Sequence, residues 1–186
     1  MTGQRQDERL SSAIRRPESR ILTGLYAILG IIALIFTAPA LAQEPQKGPV
    51  SNLPLPRYVS LKSDRVNVRE GPSKEHPTVW IYQRAGLPVE ITAEFETWRK
   101  IRDSEGSEGW VLHSLLSGRR TALVAKKEPQ MLYAADHTTP VAKLGPGVIG
   151  TLRGCDGKWC RVAGKDFDGF MQQDHLWGVY PGEKVE

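Results

Sequence analysis

Much of the equipment of an enzyme is missing from this sequence. Its 186 residues hold no glycine-rich phosphate loop, no metal-spaced cluster and no nucleophile elbow. Only two cysteines occur, Cys155 and Cys160, and they are not spaced as Cys-x-x-Cys. No further ligands cluster beside them, which excludes a zinc site. The four histidines, His76, His113, His137 and His175, are scattered in or beside turn-rich stretches. His175 with Cys160 would be the one thiol-hydrolase pair, but a cysteine tied to a neighbouring cysteine offers no nucleophile. We therefore expect no catalytic residues, no cofactor and no metal. A basic stripe is lacking too. The net charge is +4, and five arginines against three acids in residues 1–42 supply half of it. The remainder is nearly balanced, so nucleic acid is not an expected partner. Nor does any segment show a convincing helical period.

What is present is a unit that occurs twice. Glu94 to Trp110 reads EFETWRKIRDSEGSEGW, and Cys155 to Phe170 reads CDGKWCRVAGKDFDGF. Trp98 and Ile101 match Trp159 and Val162, and Gly109-Trp110 match Gly169-Phe170. Eight residues past each terminal aromatic comes a glycine, Gly118 and Gly178. Each copy reads as strand, turn and strand, and a repeat of about 60 residues implies two related small units.

The chain begins with a polar, basic stretch that ends in Arg15-Arg16 and Arg20. Ile21 to Ala42 follows without a charged residue and closes on Ala40-Leu41-Ala42. That is the pattern of a secretory signal cleaved before Gln43. The same run is long enough to be an uncleaved membrane anchor, and basic residues ahead of it put the bulk of the chain outside the cytoplasm on either reading. Residues 1–42 are thus a signal peptide or anchor. The expected location is periplasmic or exported, or else anchored in the inner membrane through residues 21–42. Residues 43–56 carry Pro45, Pro49, Pro54 and Pro56 and predict an extended linker.

From Arg57 the pattern alternates. Val59 and Leu61, Val66 and Val68, Val79 and Ile81, and Val89, Ile91 and Ala93 would each share an inward face. Turn chemistry recurs about every ten residues, as at Glu70-Gly71-Pro72-Ser73, which predicts a small barrel or sandwich. His113 to Leu116 reads as one helical turn closing the first unit. Arg119-Arg120 reads as a solvated connector.

Between Cys155 and Cys160 lies Asp156-Gly157-Lys158-Trp159, a hairpin signal that would set the two side chains opposite each other. The repeat offset puts Glu94 and Arg99 at the same places in the first unit. One copy would hold its hairpin by an ion pair worth about 0.2–1 kcal/mol. The other would use a disulfide worth roughly 2 kcal/mol, which suits an oxidising compartment.

The run Val66-Asn67-Val68-Arg69-Glu70-Gly71-Pro72-Ser73 leads to Gly86-Leu87-Pro88-Val89, Trp98-Arg99-Lys100-Ile101 and Glu108-Gly109-Trp110-Val111. This succession resembles the bacterial SH3-like (SH3b) domain. The close Leu176-Trp177-Gly178-Val179-Tyr180-Pro181-Gly182-Glu183 resembles that of tandem SH3-like envelope proteins of Gram-negative bacteria. The resemblance spans residues 57–182. It implies an all-β chain of two tandem small barrels, residues 57–118 and 119–182, with a binding role and no catalysis. Peptidoglycan or an envelope protein is the implied partner. The second unit is degenerate, with Leu132 and Ala134 where the first has Asn67 and Arg69, and without the Gly-Pro turn.

Candidate ligand residues follow from the same alternation. Asn67, Arg69 and Glu70 form a polar loop. Trp80 and Tyr82 oppose Val79 and Ile81 and would face outward beside that loop. Trp98 lies three residues from Ile101 and so on the other face. These rings either line a shallow binding groove or pack between the repeats or over a barrel's open end. A change at Trp177 is expected to affect stability rather than binding.

Overall fold

Alternating valines become the inner faces of short strands. The structure, a computed structural model, describes residues 46–186. The expected signal or anchor, including Ile21 to Ala42, lies outside the described residues. Among the described residues no helix is long and apolar enough to cross a membrane.

The first sheet contains β3 (Arg57–Leu61), β4 (Val66–Arg69), β5 (Thr78–Tyr82), β6 (Pro88–Phe95), β7 (Trp98–Arg102), β8 (Glu108–Leu112) and β9 (Leu116–Ser117). The second contains β10 (Thr121–Val124), β11 (Gln130–Tyr133), β12 (Pro140–Leu144), β13 (Ile149–Asp156), β14 (Trp159–Ala163), β15 (Asp168–Gln172) and β16 (Leu176–Trp177), with β17 (Lys184–Val185) added on β13. The orders are β5-β4-β8-β7-β6-β3-β9 and β12-β11-β15-β14-β13-β10-β16. The second is the first with every strand moved on by seven, so the sequence repeat is also a repeat of topology. Each sheet curls round its own core. Leu61, Val66, Val68, Val89, Ile91, Ile101 and Val111 fill the first. Val124, Leu132, Leu152, Val162, Met171 and Leu176 are among those filling the second. The expected turn at the end of the first unit is a 3-10 turn, His113–Leu115, and Gln173–His175 repeats it.

Gly109 and Gly169 explain the shared Gly-aromatic pair. Arg69 pairs with Trp110 where β4 meets β8, and Tyr133 pairs with Phe170 where β11 meets β15. At Gly109 a Cβ would overlap the Val68 side chain, and at Gly169 one would come 2.7 Å from the Tyr133 carbonyl oxygen. Only glycine lets the strands approach this closely.

Three inward assignments are corrected. Val79 and Ile81 are exposed, whereas Tyr82 is buried. The register pairs Tyr82 with Val66 and Ile81 with Asn67, and directly paired residues share a face. A bulge at Val68/Arg69 resets the phase of β5, which the local alternation does not reveal. A second bulge, between Ile91 and Ala93, moves Ala93 off the core face, while Glu94 beyond it is buried.

Glu94 holds the segment ahead of the first sheet. In place of an extended linker, residues 46–55 form a hairpin, β1 (Gln46–Lys47) with β2 (Pro54–Leu55). The Val50 and Ser51 amides donate to the Glu94 carboxylate at 3.1 and 2.8 Å, and the Ser51 hydroxyl donates at 2.6 Å. Arg57 Nη2 donates at 2.7 Å, and Arg99 Nε forms the expected ion pair at 3.4 Å. The matching position in the second sheet holds the Cys155–Cys160 disulfide.

The two sheets meet through aromatic and polar contacts. Trp177 Nε1 donates to the Pro88 carbonyl at 3.1 Å, and Tyr180 Oη donates to Glu90 at 2.8 Å. Tyr58 sits edge-on to Trp177 at 5.2 Å and beside Tyr180 at 4.6 Å. Arg120, expected in a solvated connector, binds Glu183 and the Gly178 carbonyl instead and lies over the Tyr58 ring.

Two stability predictions follow from these contacts. Burial pushes the Glu94 carboxyl up, but hydrogen bonds from Ser51, Arg57 and Val50 outweigh it and hold the group at about 2, below its ordinary 4.5. The resulting stabilisation, roughly 3 kcal/mol, is complete above the ordinary value and is lost as pH falls towards about 2. In urea unfolding, Glu94→Gln should be less stable than the parent at neutral pH, and the gap should close in strong acid. An unchanged gap would contradict the assignment. Trp177→Ala should cost about 2–3 kcal/mol and lower a single thermal transition shared by both sheets. Two separate transitions would show that this contact does not join them.

Candidate ligand-binding groove

On β4 the residues between the core valines face outward. Arg65, Asn67 and Arg69 therefore line up along one side. In the next strands Trp98 pairs with Leu112, and Lys100 with Trp110, which pairs in turn with Arg69. Val111 and Ile101 point to the core, so Trp98 and Leu112 belong to the same outer face as Arg69. The 3-10 turn brings Leu115 to this face, and the loop after β4 brings Lys74. Together Arg65, Asn67, Arg69, Lys74, Trp98, Leu112 and Leu115 enclose a groove of about 220 Å³. Trp98 is 7% exposed, so its ring forms the floor.

Arg69 shapes the loop. Its Nη1 donates to the carbonyls of Lys74 at 3.0 Å and His76 at 2.6 Å. The Glu70 amide closes the loop by donating to the Pro77 carbonyl at 3.1 Å. The His76 ring lies where a Cβ on Gly71 would sit, which fits glycine at the turn. Among the described residues no ion pair uses Arg65, Arg69 or Lys74. The groove thus has an apolar floor and a rim of three cations, and no acidic side chain lines it.

Of the residues expected to bind, Asn67, Arg69 and Trp98 come together here. Glu70 is exposed and does not line the groove. Trp80, 58% exposed, lies with Val79 and Ile81 on a separate apolar surface along the edge strand. Tyr82 faces inward, against expectation, and its hydroxyl donates to Asp103 at 2.8 Å. Burial and that hydrogen bond push its phenol well above the usual range. The sequence reading missed Arg65, Lys74, Leu112 and Leu115. Arg65 was findable, being one alternation step before Asn67. Lys74 and the two leucines reach the groove only through the loop and the 3-10 turn.

The matching place in the second sheet holds a cluster of rings. The strand register equates Tyr133, rather than Ala134, with Arg69, since each pairs with the aromatic after the closing glycine. Met131, rather than Leu132, then takes the place of Asn67. Trp159 replaces Trp98. His137 stacks on Trp159 at 4.5 Å with a 13° tilt, and Tyr133 meets Trp159 edge-on at 5.7 Å. His137 sits at φ 58°, in a loop that Asp136 fixes through the Thr138 and Thr139 amides at 2.9 Å. An imidazole from the chain itself therefore stacks on the ring that takes the place of Trp98.

Among the described residues no group of three or more His, Cys, Asp and Glu side chains is placed to hold a metal ion. Both cysteines are in the disulfide, so Cys160 presents no thiol to His175.

Comparison with known proteins adds three findings. No curated protein matches the chain. A solved structure of NlpC1 from Trichomonas vaginalis is similar at 14% identity, with a TM-score of 0.31. The match covers 70% of this chain and 48% of that one, so the chain spans about half the length of that protein. The family model of the bacterial SH3 domain matches residues 62–118. The stretch that builds the groove, from Arg65 to Leu115, is therefore a bacterial SH3 domain.

Proposed function

We propose that this protein is an exported, non-catalytic binding module that holds cell-wall peptidoglycan through the groove of its first barrel. One observation carries the reading. A groove rimmed by Arg65, Arg69 and Lys74 lies over Trp98, whereas the matching ring Trp159 is stacked against His137. A bacterial SH3 domain is consistent with a binding module. Aromatic and aliphatic surface in the floor suits the flat faces of sugar or peptide units. Cations at the rim suit the carboxylates of stem peptides. The Cys155–Cys160 disulfide supports an oxidising, extracytoplasmic location. An envelope protein with acidic segments offers similar chemistry and is the other partner to be tested.

The full chain, purified and mixed with isolated sacculi, should sediment with them. Reversing the rim charge with Arg65→Glu and Lys74→Glu together should weaken retention by about thirtyfold or more. Both side chains are exposed, so the thermal midpoint should hold. Retention unaffected by the double change would put the surface elsewhere. Failure to sediment, with capture of an envelope protein in the same assay, would replace peptidoglycan by that partner.

A further inference from the structure

The groove is small for a complete ligand. Its volume of about 220 Å³ lies below the roughly 300–1,000 Å³ of pockets that enclose drug-sized molecules. It suits the end of a chain better than its middle. Trp98, Leu112 and Leu115 offer a short apolar wall, and Asn67 supplies an amide that both donates and accepts hydrogen bonds.

The three cations differ in what they have left to give. Arg69 Nη1 is already used by the Lys74 and His76 carbonyls. Arg65 and Lys74 make no side-chain ion pair among the described residues, and both line the cavity. With no acidic side chain among the lining residues, an anion entering between them meets attraction from both and repulsion from neither wall. The second sheet removes this chemistry at the same places, with Tyr133 for Arg69 and Met131 for Asn67.

Resting on the functional reading above, we infer that the groove takes the free carboxyl terminus of a short peptide with small aliphatic side chains. Arg65 and Lys74 bind the carboxylate. Trp98 and Leu115 contact the terminal aliphatic group. Arg69 is a positioning residue that fixes the loop bearing Lys74. Such a terminus exists on cell-wall stem peptides, where the last residues are of D configuration, and on proteins, where they are L. The shared feature is the carboxylate beside a small apolar side chain.

The test is a titration of the intact protein with N-acetyl-alanyl-alanine as the free acid and as its C-terminal amide, followed by NMR. The D,D and L,L forms are run in parallel. The free acid should shift the Trp98 indole and the Lys74 and Leu115 amide signals, and the amide should bind at least tenfold more weakly. Lys74→Gln and Arg65→Gln should each abolish the preference for the acid with the thermal midpoint unchanged. Arg69→Ala should weaken acid binding and raise amide hydrogen exchange in residues 71–77, which a direct ligand contact alone would not do. A D,D preference assigns the cell-wall source, and an L,L preference a protein terminus. Equal binding of acid and amide, or no shift with either, overturns the inference. If sacculi are still retained in that case, the functional reading stands without it.

Discussion

Both barrels depend on one close approach. Where β8 crosses β4, and β15 crosses β11, the strands close to a distance that leaves no room for a side chain at Gly109 or Gly169. That contact joins the β5–β4 pair to the rest of the first sheet, and the β12–β11 pair to the rest of the second. It sets the β4–β8 register, and the register puts Arg69 opposite Trp110 on the outer face. Arg65 and Asn67 follow by alternation, and Trp98 follows through its pairing with Leu112. The groove is therefore a consequence of how the β5–β4 pair joins the sheet. The same junction in the second sheet delivers Tyr133 and Trp159 to the same places, and there the rings cluster.

The repeat is one architecture with different fastenings. At the start of the β6–β7 hairpin the first sheet has Glu94 facing Arg99, and Glu94 also clamps the preceding hairpin. At the matching point the second sheet has the disulfide, and β17 pairs with Cys155. In each case an extra segment of chain docks on the same corner of the barrel. The first does so by hydrogen bonds to a buried carboxylate, the second by ladder pairing beside a covalent link.

Much of this was legible in the sequence where the signal was local. Val66 and Val68 against Asn67 and Arg69 read correctly, and so did the Cys155–Cys160 hairpin, because neighbouring residues alone decide those faces. Tyr82 read wrongly because its face is set by pairing with Val66 on β4. Residues 46–55 read as an extended linker because prolines mask a hairpin whose main partner, Glu94, lies some forty residues away in the chain. Spacing alone matches Ala134 to Arg69 because the loops of the two copies differ in length, and only the register reveals Tyr133. Lys74 and Leu115 carried no pattern of their own. Loop and turn geometry brings them to the groove.

The central claim is that the cation-rimmed groove over Trp98, and not the ring cluster at Trp159 and His137, meets the ligand. Amide chemical-shift mapping of the intact protein with soluble peptidoglycan fragments tests it most directly. Shifts should group on residues 65–69, 73–75, 98 and 112–115, with residues 131–139 and 159 silent. Shifts centred on His137 and Trp159, or confined to the edge strand at Trp80, would contradict it.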